Sequence, residues 1–102
     1  MKESDWKLFV NIKELALEAY CVRALAEMQS LITDQDQDAH TRFVALYQLL
    51  QARNKQLAFI FEGHSRSKAA LQLRILRFEK LADESLLRQL SPEFLQQTDP
   101  QA

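Results

Sequence analysis

A single glycine, Gly63, stands in a chain of 102 residues, and this scarcity limits the folds that the chain can adopt. Sheet-rich proteins need glycine at tight turns and bulges, where side chains are poorly tolerated. Phosphate-binding loops and dinucleotide-binding fingerprints need several glycines within a few residues of one another. We therefore expect an all-α protein that carries neither of these nucleotide-binding motifs.

Apolar residues recur at helical spacing in three segments that polar stretches separate. We predict three long helices, over about residues 5–32, 39–61 and 66–81. The intervening stretch 33–38 holds three aspartates and is predicted to be a loop, with Asp36 or Asp38 capping the second helix. Ser4 and Ser65 are expected to cap the first and third helices. Gly63 is expected to take the left-handed position that ends the second helix.

The C-terminal region predicts one or two short helices. Asp83 could cap a helix over residues 84–90, and Ser91-Pro92-Glu93 has the order of residues that begins a helix. Alternatively, the third helix continues to residue 90. The expected architecture is an antiparallel helical bundle in one domain, residues 1–97, followed by a frayed tail, residues 98–102.

The first helix carries apolar residues on two sides rather than one. One stripe begins at Trp6 and includes Val10, Leu17, Ala24, Met28 and Leu31. The other stripe lies nearly opposite and comprises Leu8, Ile12, Leu15, Ala19, Val22 and Ala26. A helix with two apolar sides must be covered from both. We assign the Trp6 stripe to the core of the chain and the second stripe to a homodimer interface. The alternative is a compact monomeric bundle with no apolar surface left over.

The other two long helices have a main stripe each. In the second helix it comprises Ala39, Phe43, Leu46, Leu50, Leu57 and Ile60, and Arg53 interrupts it. In the third helix it comprises Leu71, Ile75, Phe78 and Ala82, and a second stripe comprises Ala69, Leu73 and Leu76. We expect the main stripes to face the core.

Charge is segregated along the chain although its net value is only −1. Residues 1–40 carry four basic and eight acidic side chains, whereas residues 41–80 carry eight basic and two acidic ones. Residues 81–102 are again acidic, with one basic and four acidic side chains. The simplest interpretation is that the basic helices pack against acidic ones within the chain or across a dimer.

The basic segment also supports a second interpretation, an anion-binding site at the start of the third helix. Helix N-termini attract anions, and the candidate residues here are His64, Ser65, Arg66, Ser67, Lys68, Arg74 and Arg77. Such a site could hold a phosphate, an acidic peptide or a nucleic-acid backbone. A helix-turn-helix motif fits poorly, because Phe59 is too bulky for its position and Glu62 and His64 are too polar for theirs.

Candidate catalytic groups do not converge in the sequence. His40 and His64 flank the second helix and are separated by roughly 35 Å of helix. Glu14 and Glu18 lack the Glu-x-x-His pattern of bundle metal sites. Cys21 lies in the middle of a helix, without a cation or helix N-terminus to activate its thiol. We expect no enzyme activity, no cofactor and no metal site.

The sequence thus favours a small cytoplasmic protein that acts through protein–protein contacts as a regulator, adaptor or chaperone-like factor, and as a homodimer. The alternative is a nucleic-acid- or phosphoanion-binding module that uses the basic segment 53–80. A membrane role is not expected, because the longest apolar run, residues 57–61, is far shorter than the ~18 residues needed to span a bilayer.

Overall fold

Five helices follow one another along the chain in the computed structural model, which describes residues 1–101. They are α1 (Glu3–Ile32), α2 (Ala39–Phe61), α3 (Arg66–Phe78), α4 (Glu84–Leu87) and α5 (Pro92–Gln97). No strand occurs within this part of the chain. The predicted all-α class is confirmed, with three long helices and two short C-terminal ones.

Helices α1 and α2 form an antiparallel hairpin. Arg42, near the start of α2, donates a hydrogen bond to the carbonyl oxygen of Ile32 at the end of α1. Farther along, the Tyr20 hydroxyl lies 2.8 Å from the carbonyl oxygen of Arg53. At the other end Lys13 Nζ lies 2.6 Å from the carbonyl oxygen of Gly63. The hairpin gives the molecule its long dimension, and the structure measures 53 × 23 × 23 Å.

The hydrophobic core lies at one end of this hairpin, which we call the base. Buried apolar side chains come from the first two thirds of α1, from α3 and from the C-terminal region, whereas α2 contributes only Ile60. The other end, which we call the tip, carries the loop 33–38, and Arg42 is the only residue of the stretch 32–44 that is not exposed. The short helices α3, α4 and α5 therefore stabilise only the base.

The buried face of α1 differs from the prediction. Its centre is formed by Phe9, Ala16 and Tyr20, which belong to neither predicted stripe. At about 100° per residue, these positions fall between the two stripes, so the stripes are the edges of one wide apolar arc. The stripe assigned to the core is only partly covered, since Leu17 is exposed. Assigning the whole Trp6 stripe to the core was wrong, because the adjacent Phe9 arc makes the central contacts.

In α3 the predicted second stripe, rather than the predicted main stripe, forms the buried face. Ala69, Leu73 and Leu76 are completely buried, whereas Leu71 and Phe78 of the predicted main stripe are exposed. The buried face also contains a polar residue, Gln72, and this lowered its apparent hydrophobicity in the sequence. Gln72 Nε2 lies 3.1 Å from the carbonyl oxygens of both Glu62 and Gly63 and so ties α3 to the end of α2.

Most of the predicted helix caps are confirmed. The side chains of Asp38, Asp83 and Ser91 accept hydrogen bonds from backbone N–H groups in the first turns of α2, α4 and α5. The expectation for Ser4 was wrong, because α1 begins at Glu3 and Ser4 already lies inside the helix. Ser65 occupies the predicted N-cap position of α3 but makes no capping bond, since its Oγ lies 3.1 Å from Ser67 Oγ instead.

Helix α3 ends earlier than predicted, at Phe78, because Lys80 adopts a left-handed conformation with φ of 58°. The N–H of Leu81 then reaches back to the carbonyl oxygen of Leu76 at 2.9 Å, and the N–H of Lys80 reaches that of Arg77 at 3.1 Å. This pair of bonds defines a Schellman motif. Leu81 turns into the core, so neither an end at residue 81 nor a continuation to residue 90 occurs.

The C-terminal segment is held more firmly than the predicted frayed tail implied. Thr98 is completely buried, and its hydroxyl oxygen accepts a hydrogen bond of 2.9 Å from Arg77. Asp5, which is also buried, accepts hydrogen bonds from Ser91 N and Ser91 Oγ at 2.9 and 2.6 Å. These contacts attach both ends of α5, and they place Thr98 in the folded unit rather than in a tail.

Two positive φ angles give a matched pair of stability predictions. We expect Gly63→Ala to destabilise the fold by about 1 kcal/mol, since Gly63 has φ of 82° and alanine avoids that region. A new Cβ would also lie 2.7 Å from Lys68 Nζ, but this flexible side chain can move aside. Lys80→Gly should stabilise the fold by up to about 1 kcal/mol, because glycine relieves the left-handed strain. Urea unfolding measures both changes in the free energy of unfolding. If both variants were destabilised, or both stabilised, the result would contradict the left-handed conformations of Gly63 and Lys80.

Asp5 gives a second prediction. Asp5→Ala should cost about 2 kcal/mol, because it leaves two partly buried donors of Ser91 without their acceptor. Hydrogen exchange should increase first in α5. Glu18→Ala removes an exposed carboxylate of α1 that forms no ion pair among residues 1–101, and it serves as the control, with little expected effect on the free energy of unfolding. Equal unfolding midpoints for the two variants would contradict a structural role for Asp5.

Candidate functional site

The most unusual feature of this structure is the apolar surface of α2 that no other part of the chain covers. This helix has 23 residues, yet Ile60 is the only one that is buried. Large apolar side chains are exposed along one side of it, among them Phe43 at 74%, Tyr47 at 59% and Leu50 at 53% of their full accessible area. A helix in a globular domain normally buries one continuous face. The uncovered face of α2 therefore points to contact with another molecule.

The whole molecule exposes more surface than a chain of its mass requires. Its accessible surface is 7024 Å², whereas a compact monomer of 11.9 kDa should expose about 6,000 Å². The radius of gyration is 16.6 Å, against about 13 Å for a compact domain of this length. The excess of about 1,000 Å² comes from the extended hairpin and is comparable to one side of a protein–protein interface.

An apolar groove runs between α1 and α2. Cys21, Leu25 and Met28 of α1 face Leu50 and Leu57 of α2 around a cavity of about 240 Å³. Toward the base, Val10, Leu17 and Phe61 line a second cavity of about 270 Å³ between the same two helices. Within the described residues, no side chain of α3, α4 or α5 lines either cavity. We call these eight residues together the α1–α2 groove, and it lies on a flank that the short helices leave open.

Formal charge is rare along the tip-side half of the groove. Between Ala24 and Ile32 the only charged residue is Glu27, which Arg53 binds with two hydrogen bonds of 2.8 Å. Glu27 and Arg53 border a different cavity, one that Tyr20 and Glu79 also line. The hydrogen bonds from Arg53 lower the pKa of the Glu27 carboxyl. The middle of the groove is thus lined mainly by apolar side chains, and Tyr20, Arg53 and Asn54 are its polar lining residues.

At the base end the groove meets a positively charged cluster. Lys13 Nζ lies 3.4 Å from His64 Nδ1, and Lys68 Nζ lies beside Gly63. Partial burial lowers the pKa of Lys13, and the neighbouring Lys68 charge lowers it further. Glu14 lines the same stretch of groove, but neither lysine has a carboxylate within ion-pair distance in residues 1–101. We call Lys13, His64 and Lys68 the basic cluster.

The structure disperses the residues of the predicted anion site. Arg66 forms an ion pair of 2.7 Å with Glu3 and lies over the Trp6 ring. Arg77 donates hydrogen bonds to Leu95 and Thr98, at the other end of α3. Arg74 is exposed, and the hydroxyls of Ser65 and Ser67 bond to each other. His64 and Lys68 both lie near Gly63, and Lys13 of α1 joins them from about 50 residues away.

The predicted dimer residues differ widely in exposure. Ile12 is completely buried in the core of the chain, so it is not available to a partner, and Leu8 packs partly against that core. Leu15 and Val22 are exposed at 50% and 57%, and Ala19 and Ala26 are exposed as well. This stripe is therefore interrupted, whereas the α1–α2 groove consists of two apolar cavities between the same two helices.

The residues considered for catalysis remain apart. His40 is exposed in the first turn of α2, at the opposite end of that helix from His64. Cys21 is a partly buried free thiol in the groove. Within residues 1–101, no three His, Cys, Asp or Glu side chains come close enough to bind a metal ion together. In the same residues, no helix has the length and apolar character required to cross a membrane.

No protein-family model, curated protein or solved structure matches this chain.

The Glu27–Arg53 pair gives a pH-dependent prediction. The folded pKa of Glu27 lies below its ordinary value of 4.5, so the stabilisation is complete above the unfolded pKa and is lost as the pH falls through the folded pKa. The difference in unfolding midpoint between wild type and Glu27→Gln should narrow as the pH falls from about 6 to about 3. The exposed Glu18 of the same helix provides the control, Glu18→Gln. If the difference in unfolding midpoint between wild type and Glu27→Gln did not change with pH, an ion pair between ionised Glu27 and Arg53 would be contradicted.

Proposed function

We propose that this protein works through protein–protein contacts rather than catalysis, and that it does so as a homodimer. The observation that carries the proposal is the uncovered face of α2, where one residue of 23 is buried. Clusters of exposed large apolar side chains often mark interaction sites. A second copy is the simplest occupant, since a two-fold axis covers the same surface on both chains at once.

The contacts of the basic segment support this proposal over the nucleic-acid alternative. Arg53 and Arg66 pair with the carboxylates of Glu27 and Glu3, so α2 and α3 neutralise two of the five acidic side chains of α1 within the chain. Arg42 and Arg77 donate to backbone carbonyl oxygens. A nucleic-acid surface needs several free cations in a row, and three basic side chains of the segment 53–80, Arg53, Arg66 and Arg77, already have partners inside the molecule. A cytoplasmic location is part of the proposal and is consistent with the free Cys21.

The test is the mass of the wild-type protein in solution. Sedimentation velocity at micromolar concentrations should give twice the chain mass of 11.9 kDa, and dilution should shift the mass toward that of one chain. Hydrogen exchange in α2 should slow as the concentration rises, because the uncovered face becomes protected. A single species of one-chain mass over the whole concentration range would contradict the homodimer.

A further inference from the structure

We propose that two copies of this chain pair in antiparallel orientation through the α1–α2 groove, so that the acidic loop of each copy lies on the basic cluster of the other. This inference rests on the proposed homodimer, and it specifies the surface, the orientation and the charge contact. The occupant of the groove is thus the same hairpin of a second copy, and the dimer would contain a four-helix bundle.

The two ends of the hairpin carry side chains of opposite charge that form no ion pair within residues 1–101. At the tip, Asp34, Asp36 and Asp38 lie in the exposed loop 33–38, and none of them forms an ion pair within residues 1–101. The nearby Arg42 donates to the carbonyl oxygens of Ile32 and Gln37 instead. At the base, the Lys13 and Lys68 ammonium groups lie near each other without a carboxylate partner in that part of the chain. Each end can therefore neutralise the opposite end of a second copy.

The spacing of these charges matches a two-fold arrangement. Lys13 and Asp34 are separated by 21 residues of α1 and its C-cap, which corresponds to about 32 Å. The midpoint between Lys13 and Asp34 lies beside Ala24. This residue lines the cavity of about 240 Å³ in the α1–α2 groove, together with Leu25 and Leu50. A two-fold axis through this point puts Lys13 of each copy level with Asp34 of the other. The same axis brings the two apolar groove centres face to face.

The groove centre has the composition of an interface core. Leu25 and Leu50 are exposed at 64% and 53%, and Phe43 and Tyr47 continue the same edge of α2 at helical spacing. Interface cores are depleted of charge and enriched in aromatic side chains. Together with its continuation at Phe43 and Tyr47, the groove extends over about 30 Å of the hairpin, and two adjacent helices are about 20 Å wide. A face of these dimensions approaches the ~800 Å² per partner of a standard interface.

The antiparallel orientation of the two chains is favoured by repulsion between like charges as well as by attraction between opposite ones. In a parallel dimer the three aspartates of one loop would face the same three of the other, and the lysines of the two basic clusters would also meet. Like charges at an interface are strongly unfavourable, and natural interfaces use such repulsion to exclude wrong arrangements. The antiparallel arrangement removes both repulsive contacts and replaces each with an attractive one.

A matched pair of leucines tests the surface. Leu25 and Leu71 are each exposed at 64% in the monomer, so Leu25→Lys and Leu71→Lys should both preserve the fold, which circular dichroism checks. Leu25→Lys should convert the dimer to monomer at micromolar concentrations, whereas Leu71→Lys should leave it dimeric. Val22→Lys tests the stripe predicted from the sequence and should also leave a dimer. Dissociation by Leu71→Lys or Val22→Lys, with no effect of Leu25→Lys, would overturn the groove while leaving the homodimer intact.

A charge exchange tests the orientation. At low salt, Asp36→Lys and Lys68→Glu should each weaken dimerisation about tenfold, because the two-fold axis repeats each lost contact. The double variant should recover to within about threefold of wild type. Arg74→Glu changes the same charge on the same helix away from the proposed contact and should have little effect. If the double variant is no tighter than the single ones, the antiparallel orientation is wrong, whatever the Leu25 result.

A zero-length cross-link provides a direct measurement. Asp36 and Lys68 lie at opposite ends of the hairpin, so a carbodiimide cannot join them within one chain. In a mixture of isotopically light and heavy protein, amide cross-links between Asp34 or Asp36 and Lys13 or Lys68 should join light to heavy chains. A stable dimer that yields no such mixed cross-links would overturn the proposed contact, and a monomeric wild type would overturn both this inference and the homodimer.

Discussion

The length of the first two helices governs the rest of this structure. Helices α1 and α2 have 30 and 23 residues and extend over about 45 and 35 Å, whereas the 13 residues of α3 cover only about 20 Å. The remaining helices have four and six residues. The chain therefore has too little helix after residue 65 to cover the hairpin that precedes it. The core forms where all the helices meet, and the tip remains a two-helix arm.

Polar contacts attach the short elements to this base. Helices of four and six residues are not stable alone, and α5 is held by Asp5 at one end and by the Arg77–Thr98 contact at the other. Gln72 fixes the turn between α2 and α3 in the same way. Each such bond contributes only about 1 kcal/mol, but each one determines where a short segment packs. Gln72 Oε1, which is buried without a hydrogen-bond partner among residues 1–101, shows that this placement has a cost.

Local signals in the sequence predicted where α2, α4 and α5 begin, but not where α3 ends or which faces the helices bury. Asp38, Asp83 and Ser91 act on the backbone within three residues, so their caps do not depend on the rest of the fold. The buried face of α1 does depend on it, because apolar residues cover most of that helix and only the partner decides which arc is central. Phe9 and Tyr20 were missed for this reason. Lys13 was missed as well, since nothing in the sequence places it beside residues 63 and 64.

The distribution of charge connects the fold to the proposed assembly. A net charge of −1 hides two internal ion pairs, Glu27–Arg53 and Glu3–Arg66, which account for part of the contrast between the acidic first helix and the basic segment. The loop aspartates and the basic cluster are left at opposite ends of a groove that is mainly apolar. Apolar surface attracts without direction, so the groove alone would not determine how two hairpins align. Charges at the ends of an interface chiefly set its register and its partner, and here they favour only one of the two ways of pairing the hairpins.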